Sequence, residues 1–166
     1  HQADIDGNCN IFKYPIDIYS LIEKVNIQLI KYKYSFQSKT SFEDIVYARE
    51  MLKKALELDE NLLEAKILLG KSYLNEGNYD KAKIYFTDCI EKSLLLGTQK
   101  IEAECNEYLG DLFVDFLNSQ NFISFKKENE ELINTINYYE KALKLYESIS
   151  DSYNYSKILY KLAILD

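Results

Sequence analysis

Apolar residues recur at three- and four-residue intervals along almost the whole 166-residue chain. That is the period of amphipathic helices rather than strands. The spacing predicts helices over 17–34, 42–58, 61–76, 79–96, 98–118, 126–149 and 151–165. The breaks between them are short and carry stop and start signals. Ser41 and Asp44 have capping-box spacing ahead of "IVYAREML". Asp59 and Asn61 sit between two helical runs, where either can cap the second. Gly77 and Gly97 follow helical runs at the position where a left-handed residue closes a helix. Thr98 and Asp151 stand where N-caps are needed.

The stretch "LLGKSYLNEGNYDKAKIYF", residues 68–86, is the most informative. Gly77 reads as the turn between two antiparallel helices. Gly70 and Ala82 fall where those helices cross, and small residues let the axes approach closely. Leu69, Tyr73, Tyr79 and Phe86 fill the space around the crossing. The pattern recurs: "YLGDLF" at 108–113 echoes "LLGKSY" at 68–73, and "ALKLYES" at 142–148 echoes "ALELDEN" at 55–61. Ala48 and Ala55 precede Ala82 and Cys89 by 34 residues.

These positions resemble the tetratricopeptide repeat family, whose 34-residue unit is a helix hairpin. Residues 63–96 carry Leu69, Gly70, Tyr73, Gly77, Tyr79, Ala82 and Phe86 in the family's slots, with Cys89 in place of the last Ala. A third unit keeps Leu109, Gly110, Phe113, Tyr139 and Ala142, and departs by about thirteen extra residues around "NSQNFISFKKENE". Leu162 and Ala163 begin a fourth. The resemblance implies an all-α fold of about seven helices, stacked as antiparallel hairpins in a right-handed superhelix. The expected organisation is a polar tail at 1–15 and one array over 16–166, with units at 17–60, 61–96, 97–150 and a partial 151–166.

Composition narrows the chemistry. A formal charge of −7 leaves no basic stripe for nucleic-acid phosphates. No apolar run approaches the roughly 18 residues of a membrane-spanning helix. The only histidine is His1, which removes Ser-His and Cys-His catalysis and histidine metal sites. No glycine-rich phosphate loop is present. In "HQADIDGNCN", Asp4, Asp6 and Asn8 alternate as in a calcium loop, but Cys9 stands where glycine is required and no closing glutamate follows. No enzyme activity, cofactor or metal is therefore expected. Three cysteines form no disulfide framework, and Cys89 and Cys105 read as buried free thiols unless an oxidising compartment joins them. The chain opens on His1 rather than Met. The compartment thus stays open between the cytoplasm and an exported or anchored state with a leader removed.

A binding surface is the remaining reading. Glu104, Glu107, Asp111 and Asp115 fall within roughly 80° on a helical wheel, apart from the apolar face of the same helix. The resemblance places them in the concave groove of the third unit, with Glu64, Ile67, Lys71 and Leu74 at the same positions of the second. Those residues, together with Val114, are the expected partner-binding set. Chaperone-binding members of that family clamp a carboxylate with Lys, Asn and Arg in the groove; here only Lys71 could help and acids hold the neighbouring unit, so no such clamp is expected. A protein or peptide segment bearing Lys or Arg is. Tyr139, Tyr146 and Tyr153 recur every seven residues, as core packing with hydroxyls at the edge or as an aromatic-lined groove. The last helix ends apolar, and its residues 156–165 are a candidate homodimer contact. A small-molecule or lipid pocket closed by residues 118–130 is the third reading.

Overall fold

The computed structural model describes residues 20, 22–26, 42–119 and 130–165, and among them it contains helices and turns but no strand. Two compact units divide the chain, His1–Leu68 and Leu69–Asp166. The tail at 1–15, Ser41 of the expected capping box and the Asp44 side chain lie outside what is described, as does most of the first expected helix; residues 20 and 22–26 are helical.

In the first unit, helix α1 spans Phe42–Leu58. Its Ile45, Ala48, Met51, Leu52 and Ala55 are buried at helical spacing. Asp59 ends it. Its N–H donates to the Ala55 carbonyl at 2.9 Å, and its carboxylate accepts the Asn61 N–H at 2.9 Å. That turn delays helix α2, Leu63–Asn75, to two residues beyond the start expected from periodicity. The boundary between the units falls within α2.

The second unit holds the end of α2 and four more helices: α3 (Tyr79–Leu96), α4 (Gln99–Ser119), α5 (Glu130–Ser148) and α6 (Ser152–Ala163). From α3 onward, each packs on the next. Three of their turns close alike. Asn78, Thr98 and Asp151 donate backbone N–H groups to the carbonyls of Tyr73, Ser93 and Tyr146, five residues back, at 2.9, 3.0 and 2.9 Å. The preceding residue is left-handed each time: Gly77 (φ 73°), Gly97 (φ 69°) and Ser150 (φ 58°). Asn78 caps α3 by accepting the Lys81 N–H, and Asp151 caps α6 by accepting the Asn154 N–H at 3.1 Å. Thr98 differs from its expected role, because its hydroxyl donates backward to the Ser93 carbonyl at 3.4 Å.

Helix crossings explain the glycines. A Cβ on Gly70 would lie 2.5 Å from the Phe86 ring, and one on Gly110 would overlap the Tyr139 ring. Ala82, Phe86 and Cys89 on α3 thus correspond to Thr135, Tyr139 and Ala142 on α5, and all six are buried. The core runs through Tyr73, Leu74, Ala82, Phe86, Leu109 and Leu112. It has a second centre at Ala103, Tyr139, Ala142, Tyr146 and Ile158. Cys89 and Cys105 are buried thiols not joined in a disulfide, and hydrogen bonding to Cys89, then burial, pushes the Cys105 thiol far above its ordinary value.

Candidate partner-binding face

Helix α4 carries four acids of the expected partner-binding set. Ala103, Cys105, Leu109, Gly110 and Leu112 turn into the core. The remaining face carries Glu104, Glu107, Asp111 and Asp115, and the structure divides these four acids sharply.

Glu107 is only 5% exposed. Its carboxylate accepts from Lys161 Nζ at 2.6 Å, from Lys157 Nζ at 2.9 Å and from the Tyr146 hydroxyl at 3.1 Å. Asp111 Oδ1 accepts from Lys161 Nζ at 2.6 Å and from the Tyr139 hydroxyl at 2.7 Å. Lys161 also sits 5.4 Å over the Tyr139 ring. Three helices therefore meet in one network: Glu107 and Asp111 from α4, Tyr139 and Tyr146 from α5, Lys157 and Lys161 from α6. Burial alone would depress Lys161, but the Asp111 and Glu107 carboxylates outweigh it and hold the ammonium above the ordinary lysine range. Burial, then the Asp111 charge, pushes the Tyr139 phenol well up, and burial, then the Glu107 charge, does the same to Tyr146.

Glu104 differs. It is half-buried, and no side chain among the described residues donates it a hydrogen bond. Burial raises its pKa, the charge of Lys100 pulls it down, and Glu107 adds a further upward push. Asp115 is exposed, while its backbone carbonyl accepts from the Tyr79 hydroxyl at 3.2 Å. Lys71 lies 5.3 Å over the Tyr108 ring.

The other expected residues are placed as follows. Leu74 is buried in the core and has little surface to offer, whereas Val114 is half-buried against the Tyr139–Tyr146 cluster. Glu64 is exposed and Ile67 buried, both in the first unit. Sequence reasoning left Lys157 and Lys161 out of the site. The available signal was their four-residue spacing, which matches that of Glu107 and Asp111. Of the tyrosine stripe, Tyr139 and Tyr146 pack in the core with hydroxyls on carboxylates, while Tyr153 is 79% exposed. The segment expected to close a small-molecule pocket lies, at 120–129, outside the described residues.

Residues 63–91 match the family model of the tetratricopeptide repeat. The match spans α2 and most of α3, the hairpin built on Gly70, Gly77 and Phe86. No curated protein matches the chain. Tetratricopeptide repeats generally mediate protein–protein contacts or act as scaffolds, and the family is typically non-catalytic. Among the described residues, no helix is long and apolar enough to cross a membrane.

Proposed function

We propose that this chain is a non-catalytic protein-interaction module. Its repeats are the units at 17–60, 61–96, 97–150 and 151–166, and a partner segment bearing Lys or Arg lies along the open edge of α4. The observation that carries this reading is Glu104, a half-buried carboxylate on the side of α4 away from its core residues, with no hydrogen-bond donor among the described residues. An arriving cation would gain there what water only partly supplies. Asp115, three turns along, extends the same edge, and Val114 adds apolar contact. Glu107 and Asp111 support the edge from behind, since their charge is already met by Lys157 and Lys161. Exposed charges of this kind set specificity and association rate more than affinity.

Selection from a displayed random peptide library tests the proposal. Lys or Arg should be enriched among the winners. The best peptide should lose about tenfold or more in affinity for a Glu104→Lys, Asp115→Lys double variant. Winners without basic residues, or an unchanged affinity, would remove α4 as the partner face.

A second reading has its own observation. Helix α6 and the Ile164 that follows it expose Tyr153, Leu159, Tyr160 and Ile164, at 79, 44, 69 and 63%. Such a face suits self-association. Light scattering across a concentration series should then show a dimer, and a monomer throughout would discard this reading.

A further inference from the structure

About 180° from Glu104 on the α4 wheel, Phe113 belongs to a feature that the acidic edge does not use. Lys83 of α3 sits 5.5 Å over the Phe113 ring of α4. Phe113 stacks on Tyr138 of α5, with centroids 5.8 Å apart and planes 14° from parallel. Lys141 of α5 sits 5.3 Å over the Tyr138 ring. The four groups form a lysine–ring–ring–lysine sandwich bridging three helices. Beside it, Lys81 lies 5.2 Å over Tyr73, which stacks on Tyr85 at 5.7 Å. All three lysines are exposed, and none has a carboxylate within ion-pair distance among the described residues. Lys157 and Lys161, by contrast, are paired with carboxylates.

A ring face holds an ammonium group from one side only. The remaining N–H donors point to solvent from a position already fixed by the ring, so a second group can accept them at little ordering cost. The edges of the half-buried rings between Lys83 and Lys141 supply a narrow apolar strip. On α5, Lys144 and Asn137 share Lys141's side of the helix, while Glu140 lies about 100° away.

We propose that this lysine–aromatic sandwich is a second docking surface, and that it takes a short acidic peptide segment with Asp or Glu flanking an apolar residue. Local charge complementarity selects the acid. The molecule's charge of −7 favours a short segment, because a long polyanion reaching beyond the lysines would be repelled by the net negative charge of the rest of the chain.

Fluorescence anisotropy tests the proposal with a labelled ten-residue peptide of glutamate and leucine, at low and physiological salt. Binding should be measurable below about 1 mM. It should weaken about tenfold in a Lys83→Gln, Lys141→Gln variant, and it should persist in the Glu104→Lys, Asp115→Lys variant. The substituted lysines are exposed, so the Lys83→Gln, Lys141→Gln protein should fold as the parent does, and circular dichroism checks the fold of both variants. No binding by the parent, or equal binding by the Lys83/Lys141 variant, would overturn the proposal. A single-stranded DNA of equal length binding more tightly through the same lysines would overturn the peptide assignment. Because the two double variants act on different faces, loss of one surface leaves the other readable.

Discussion

The two glycine crossings of the second unit are built alike and do different things. At α2/α3, the Phe86 ring lies on Gly70; at α4/α5, the Tyr139 ring lies on Gly110. Both rings are buried, at 0% and 2% exposure. Phe86 ends in hydrocarbon and stacks on Tyr108 at 5.3 Å. Tyr139 ends in a hydroxyl, which reaches Asp111 and through it Lys161. The ring-on-glycine contact sets the hairpin, and one added oxygen ties the second hairpin into a charged network. Fold and chemistry are thus separable at one atom.

The largest effect should come from emptying the apolar crossing. Phe86→Ala should cost about 3–5 kcal/mol, because the cavity lies between helices that cannot collapse onto each other. Urea unfolding measures it. Next is the network. Lys161→Met keeps the stem but leaves Glu107 and Asp111 short of a donor, which should cost about 1.5–3 kcal/mol by the same measurement. Lys83→Met, at an exposed lysine, should change stability by less than about 0.5 kcal/mol. Equal losses at the two lysines would erase the distinction between them.

Tyr139→Phe turns the second crossing into a copy of the first and should cost about 1 kcal/mol. It also bears on pH. Tyr139 and Tyr146 have folded pKa values above their unfolded ones, as does Lys161. The folded state therefore holds more protons once pH passes about 10, the unfolded tyrosine value, and stability falls as pH rises further. Below that point these groups leave stability flat. The alkaline loss should shrink in a Tyr139→Phe, Tyr146→Phe protein, as thermal unfolding at pH values on either side of 10 would show. A gain rather than a loss is expected at Ser150. It occupies the left-handed position that Gly77 and Gly97 hold elsewhere, so Ser150→Gly should gain up to about 1 kcal/mol, seen as a rise in Tm.

Much of the hairpin geometry was legible in the sequence. Gly70 and Gly110, the turns at Gly77 and Gly97 and the Asp151 cap are local signals, and each carries its own steric reason. Also legible was that part of the apolar last helix must pack back: Ile158 is buried and Leu162 and Leu165 join its cluster, leaving Leu159 and Ile164 outside. The division of the acidic stripe was not legible. A helical wheel puts Glu104 and Glu107 on one side of α4, but only the register of α6 decides that Glu107 is covered and Glu104 left open. That register rests on contacts fifty residues apart, between Asp111 and Lys161. Tyr153 shows the same limit. Its seven-residue spacing from Tyr146 continues the stripe on paper, yet the turn at Ser150 and Asp151 lies between them and resets the helical phase.

In the proposed function, Glu107 holds the fold and Glu104 is the acid that would meet the partner. The most direct test compares Glu104→Gln with Glu107→Gln, measuring urea stability and affinity for the selected basic peptide on each protein. The account predicts that Glu104→Gln keeps its stability and loses binding, while Glu107→Gln loses stability. Full binding by Glu104→Gln, or full stability of Glu107→Gln, would contradict it.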